Sequence, residues 1–189
     1  MGKTVTAAVL THLLEGIYWK PIDCGANDTH TIKQLGLPTL DPLYAFQTSC
    51  SPHHAAALES RSIQRFNPPS SEAPLIIELA GGVLTPINLN QSNADFFSTW
   101  NAQWIVVSRP ILGSINHTLL TVEALQRRGI VLAGIIFNGA PDPCSEPPIL
   151  TQTGLTCLGR LLPEPEINYT TVKKYAQQWK TAFGALAHK

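Results

Sequence analysis

Charge is scarce in this chain. Only 13 basic and 13 acidic side chains occur among 189 residues, and the formal net charge is zero. A protein that neutralises a phosphate backbone or docks on an anionic bilayer carries a basic excess. Nucleic acid and membrane surfaces are therefore excluded as main partners. Long hydrophobic runs are missing too. "APLIIELAGGVLTPI" is broken by Glu78 and "WIVVSRPILGSI" by Arg109, so neither supplies the ~20 apolar residues of a membrane span. No basic start leads into an apolar signal core. Cysteine is sparse: Cys24, Cys50, Cys144 and Cys157 form no C-x-x-C pair, which reads as free thiols in a reducing cytoplasm. The N-x-T triplets at Asn27, Asn116 and Asn168 are then chance matches.

Apolar residues are plentiful. They make up 44% of the chain, enough to give one domain over residues 1–189 a substantial core. "TVTAAVLTHLLEG" has helical spacing and a stop at Gly16, and "IYWKP" is a short strand closed by Pro21. "DTHTIKQLG" and "PHHAAALES" read as helices. Four apolar runs follow: "PLIIELAGG", "WIVVSR", "VLAGIIFNG" and "TCLGRLL". Their near-continuous apolar character suits strands buried on both faces of a parallel sheet. The helical pattern "INHTLLTVEALQRRG" lies among them, and "TTVKKYAQQWKTAFGALA" closes the chain as an amphipathic helix. Strands alternating with helices predict an α/β layered sheet with right-handed crossovers.

Ligands bind such sheets beyond the carboxyl ends of the strands. Lys20 with Pro21, Glu78 with Gly81 and Gly82, "SRPILGSINH", and Asn138 with Gly139 all stand there. Gly2, Lys3 and Thr4 match the back half of a phosphate loop, G-x-x-x-x-G-K-[ST], at the start of a helix. A helix N-terminus suits phosphate, Lys3 would reach the outer phosphates, and the Thr4 hydroxyl would ligate Mg²⁺. The alternative is a chance tripeptide. Asp28 and Glu78 are candidate metal carboxylates, since Mg²⁺ takes one or two carboxylates plus phosphate oxygens. Asp28 is equally readable as a helix N-cap. Lys20 is readable as a solvated strand-end lysine, whose charge can be removed at little cost to the fold. Adjacent His53 and His54 lack a metal-ligand spacing and read as surface or packing residues.

Together, "GKT", "WKPIDCG", "SPHHAAALE", "IIELAGGVLTP", "LGSINHTLLTVEALQRRG", "LAGIIFN" and "LGRLLPE" resemble dethiobiotin synthetase, in the family's order and over most of the chain. The resemblance implies a three-layer, doubly wound, mostly parallel sheet of the P-loop NTPase type. It implies a cytoplasmic homodimer that uses ATP and Mg²⁺ to make dethiobiotin from 7,8-diaminononanoate and CO₂ or bicarbonate. Lys3 and Thr4 would hold phosphate and Mg²⁺, with Gly2 in the same loop. Lys20 would be the catalytic lysine, with Lys3 assisting it, and Asp28 and Glu78 the metal carboxylates. Gly81 would lie beside the nucleotide, and Asn138, followed by Gly139, would read the adenine. Leu161, Leu162 and Pro163 would line the base. Ser114 and Asn116 would receive the substrate carboxylate across a two-fold interface, with a simple helix-capping role for Asn116 as the alternative.

Several positions depart from the family pattern. Met1 stands where the family has a strand and the front half of the phosphate loop, so the expectation is a chain that begins late, with a degenerate relative or a complete chain that binds nucleotide poorly as the alternatives. Each absent N–H to phosphate is worth about 1.5–3 kcal/mol, so nucleotide binding and catalysis are expected to be impaired, with a gap in the sheet. Leu79 replaces a usual glycine, and Cys24 replaces a serine or threonine that touches substrate. Two competing readings are a cobyrinate-synthase-type amidotransferase domain and a non-catalytic or degenerate ATP-binding module. The first lacks a following glutaminase domain, and the second needs no "SPHHAAALE" or "LGSINHTLLT".

Overall fold

A computed structural model describes residues 2–184. Met1 and the last residues of the helix expected over 170–187 lie outside them. Helix α1 (Lys3–Leu13) starts on Gly2, which has φ 88. Its residues Thr6 through Thr11 are all buried, so it is a core helix rather than a surface one. Its end differs from the expected glycine stop. Glu15 takes the left-handed conformation (φ 50). Gly16 is needed for close approach instead, because a Cβ there would lie 2.5 Å from the Pro74 carbonyl oxygen.

Strand β1 (Ile17–Trp19) is the middle of a parallel three-stranded sheet. Its neighbours are β3 (Thr39–Leu40) and β5 (Leu75–Ile77). β2 (Ile22–Cys24) and β4 (Tyr44–Phe46) form a separate parallel pair. A second three-stranded parallel sheet places β7 (Leu132–Asn138) between β6 (Trp104–Ser108) and β8 (Cys157–Leu161). The pleat of β7 shows how the layers are built. Ile136 packs under α1 and α7 (Tyr169–Gly184). Its neighbours Ile135 and Phe137 pack on the opposite face against Val122 and Leu125 of α5 (Ser114–Gln126) and Ile149 of α6 (Glu146–Thr153). Helices thus cover both faces, as a parallel sheet requires. In α7 the buried set is Val172, Tyr175, Ala176, Trp179 and Phe183, a helical stripe aimed at the sheet.

Among the described residues β5 and β6 each pair on one side only. A cavity of about 970 Å³ lies between them, lined by both strands and by α1. The parallel α/β architecture agrees with the sequence, and the sheet is divided at this slot, in line with the gap the sequence leads one to expect. A third, aromatic cluster gathers Phe46, Phe96 and Phe97 with Phe66 and Trp100 beside β2 and β4. It is braced by α3 (Pro52–Leu58) and α4 (Asn93–Phe97), the latter opened by a capping box between Ser92 and Asp95.

Candidate active site

Four elements end at one point. Lys20 follows β1 directly, Glu78 follows β5, Thr4 lies in the first turn of α1, and Asp28 is the first residue of α2 (Asp28–Gln34). The Thr4 hydroxyl is 3.0 Å from Asp28 Oδ1 and 3.0 Å from Glu78 Oε1. The Lys20 ammonium pairs with the Asp28 carboxylate and lies 3.3 Å from Asp23 Oδ1. These positions differ from the ordinary structural roles open to the same residues. Lys20 is buried, not a solvated strand-end lysine. Glu78 is buried and does not face water. Asp28 is not the N-cap of its helix: Asn27 holds that place at φ 53, and the Asp28 side chain serves Thr4 and Lys20.

The electrostatics follow from burial. Taken alone, burial would lower the Lys20 ammonium. Its hydrogen bond to Asp28 and the charges of Asp23, Asp28 and Glu78 outweigh that and hold it above the ordinary lysine value. Glu78 is pushed above the usual carboxylate range by burial and then by the Asp28 charge, against the pull of Lys20, Tyr18 and Thr4. Tyr18, wholly buried on β1, donates its hydroxyl to Glu78 Oε2 at 2.9 Å. Burial and the neighbouring Glu78 charge push that hydroxyl far above its ordinary range, so it stays protonated. Among the described residues no group of three His, Cys, Asp or Glu side chains is placed to hold a metal by itself. One hydroxyl and two carboxylates of hard oxygen chemistry do converge, however. That is the donor set with which Mg²⁺ is held jointly with phosphate oxygens. Thr4, Asp28 and Glu78 fit the ion on that basis.

The expected nucleotide residues also come together. A Cβ on Gly2 would stand 2.2 Å from the Asn138 amide nitrogen, so the phosphate motif and the end of β7 are in contact. Gly139 follows, its N–H donating to the Leu161 carbonyl at 2.8 Å and its carbonyl accepting from Arg160 Nη1 at 3.1 Å. Arg160 is held in turn by Glu146. Leu161 is buried, while Leu162 and Pro163 are exposed beyond the strand. The Leu162 N–H donates to the Tyr175 hydroxyl at 3.0 Å, which pins this edge to α7.

Lys3, Glu78, Gly81 and Ser114 line the cavity between the sheets, beside Ser108 and His117. The Gly81 backbone, at φ 77, approaches Thr85 so closely that a Cβ would lie 2.6 Å from its hydroxyl. Cys24 does not line this cavity. It is buried in the aromatic cluster near Cys50, and burial and the Asp23 charge push its thiol up to about 11. It is a packed, protonated side chain. Asn116 is exposed in the first turn of α5, whose N-cap is Gly113 with no side-chain cap bond. Asn116 is thus not the N-cap residue, although it stands in the turn that starts the helix. His53 accepts or donates at Ser51 Oγ, 3.0 Å away, and His54 is exposed, in keeping with surface roles. Sequence reasoning missed Tyr18, Asp23 and Arg160. The first sits inside an apolar strand and reads as core, the second falls in a three-residue strand, and the third reads as a solvated charge.

Comparison with known proteins gives a coherent picture. The family model described as "AAA domain" matches residues 1–171. An ATP-dependent dethiobiotin synthetase of Chlamydia felis is 40% identical over 186 residues, covering 95% of this chain and 89% of that protein. The enzyme of the same name from Rhizorhabdus wittichii is 44% identical over 170 residues, 85% of this chain and 81% of that protein. One from Agrobacterium fabrum is 39% identical over 192 residues, 96% of this chain and 91% of that protein.

Proposed function

We infer, since this chain belongs to the dethiobiotin synthetase family, that it is an ATP-dependent ligase that closes the ureido ring of dethiobiotin. The observation that carries the reading is the meeting of Lys20, Thr4, Asp28 and Glu78 at adjoining strand and helix ends. One amine of 7,8-diaminononanoate adds to CO₂ and loses a proton, leaving a carbamate. A carbamate oxygen attacks the γ-phosphorus of ATP and releases ADP. The second amine attacks the carbamoyl carbon, closing the ring and expelling phosphate. Negative charge builds on the transferring group, so positioning and electrostatics do most of the catalysis. Lys20 is charged, buried and placed beside the metal carboxylates, and Lys3 opens the helix that faces the phosphates. Asp23 and Asp28 hold the Lys20 ammonium at the end of β1. Mg²⁺, when bound by Thr4, Asp28 and Glu78, supplies charge neutralisation at the phosphates.

The nucleotide lies over Gly2, Gly81, Asn138 and Gly139 with its base along Leu161–Pro163. The diamine carboxylate reaches Ser114 and Asn116. Ile111 and Leu112 are exposed immediately before these residues, and exposed apolar side chains at a site's edge support a two-fold homodimer there. Among the described residues the four cysteines are unpaired, which supports a cytoplasmic enzyme.

Mass spectrometry of the chain incubated with diamine, bicarbonate and Mg-ATP should show dethiobiotin. Its absence together with free turnover of ATP would point to a module of another function. Asn116→Ala should raise the KM for the diamine about tenfold, the loss of one hydrogen bond to a charged group, and leave that for ATP within twofold. Sedimentation should show a dimer. A monomer of full activity, or an Asn116 variant impaired equally for both substrates, would remove the cross-subunit role.

A further inference from the structure

We propose that Tyr18 is a positioning residue for the metal carboxylate Glu78, a role that rests on the family reaction assigned above. Tyr18 is 0% exposed and Glu78 5% exposed. Tyr18 lies two residues before Lys20, so the strand pleat turns both side chains the same way. Its hydroxyl donates to Glu78 Oε2 at 2.9 Å, and Thr4 lies 3.0 Å from Oε1. Glu78 is thus contacted at both oxygens, by the Tyr18 hydroxyl at Oε2 and at Oε1 by the Thr4 hydroxyl, whose single proton is shared with Asp28, so it does not rotate freely. The plane of Glu78 is therefore set by two elements at once, β1 through Tyr18 and α1 through Thr4. The Thr4 hydroxyl is the contact that changes when a cation takes up its oxygen, since Thr4 belongs to the same donor set. Tyr18 is outside that set and keeps its hold throughout. It touches neither nucleotide nor substrate, and it keeps Oε1 turned toward Thr4 and Asp28. Metal ligands fixed in this way by an outer hydrogen bond bind more tightly than ligands left to rotate.

The test is Tyr18→Phe, which removes one oxygen and keeps the ring. Mn²⁺ is titrated into the full chain with a non-hydrolysable ATP analogue, and free Mn²⁺ is read by electron paramagnetic resonance. Mn²⁺ affinity should fall about tenfold. The turnover rate should fall at limiting Mg²⁺ and recover at excess Mg²⁺, with the KM for the diamine unchanged. Circular dichroism checks the fold. A folded phenylalanine variant that binds Mn²⁺ as the parent does overturns the proposal, as does a parent that binds none. If that variant does not fold, Tyr18→His decides the matter, because its ring N–H retains a donor. Near-parent Mn²⁺ affinity in the folded histidine variant supports the role, and a tenfold loss there refutes it. A parent that binds Mn²⁺ but forms no dethiobiotin would sink the assigned reaction while leaving the Mn²⁺ comparison to judge Tyr18.

Discussion

Glu78→Gln should make the ligand-free protein more stable at neutral pH and at the same time lower ring closure at least a hundredfold. Glu78 is held above the ordinary carboxylate range, first by burial and then by Asp28. The folded state therefore keeps the Glu78 proton to a higher pH than the unfolded chain, whose glutamate titrates near about 4.3. The sign follows from linkage. The stability that Glu78 contributes is fully present below the unfolded value and is lost as pH rises through the folded value. Above the folded value the site bears the whole cost of an ionised, buried carboxylate, and at any pH above the unfolded value it bears part of it. Glutamine has the same shape and never ionises. In a chelating buffer its Tm should exceed the parent's by several degrees at pH 7, and the two should converge as pH falls toward about 4–5. Dethiobiotin formation should collapse, because a neutral amide is a poor Mg²⁺ ligand. An unchanged or lower Tm at pH 7 with activity near the parent's would show that Glu78 is an ordinary satisfied side chain.

Lys20→Met should abolish turnover and also weaken the fold, the opposite sign on stability. The sequence suggests a strand-end lysine that can be neutralised cheaply. The structure corrects this: Lys20 is buried between Asp23 and Asp28. Removing one partner of a buried pair leaves uncompensated charge, at about 3–5 kcal/mol. The ammonium is held above its ordinary value, so its contribution is present at every pH below the unfolded lysine's, about 10.4, and is lost only above the folded value. Thermal melts at pH 7 should show a large loss for Lys20→Met. Asp28→Asn in the same chain should restore part of it, a coupling that a double-mutant cycle measures. Turnover should fall about a thousandfold or more, in line with removing a preorganised charge from a developing phosphoryl group. Activity within a few-fold of the parent would take the catalytic role away from Lys20.

Much of this site is legible in the residues themselves. Lys20, Glu78 and Asn138 stand out in the sequence because apolar β-branched runs mark the strands and the residues just past them are polar. Gly2–Lys3–Thr4 stands out because a phosphate loop has a fixed spacing. What stayed hidden lies in contacts between elements. Tyr18 reads as core until its hydroxyl is seen on Glu78. Asp23 sits in β2, which at three residues is too short to show a period of two. β4 is equally short and β3 shorter still. Two missed helices did carry a signal. Ser92 and Asp95 have the spacing of a capping box before α4, and Glu146-Pro147-Pro148 with Gly154 bracket α6 in the usual proline-first, glycine-last order. Cys24 is the reverse case: its place in a functional motif suggested substrate contact, and packing put it in the aromatic cluster.

In the proposed reaction a carbamate oxygen attacks ATP at the site formed by Lys20, Thr4, Asp28 and Glu78. Oxygen tracing tests it most directly. The chain, in excess over diamine and ATP so that a low rate cannot hide the outcome, is supplied with ¹⁸O-labelled bicarbonate and Mg²⁺. Phosphate and dethiobiotin are then analysed by mass spectrometry. One labelled oxygen should appear in each phosphate released, in step with dethiobiotin, and the Lys20→Met variant should form both products about a thousandfold more slowly or not at all. Dethiobiotin formed with unlabelled phosphate, or labelled phosphate from the Lys20→Met variant at the parent's rate, would contradict it.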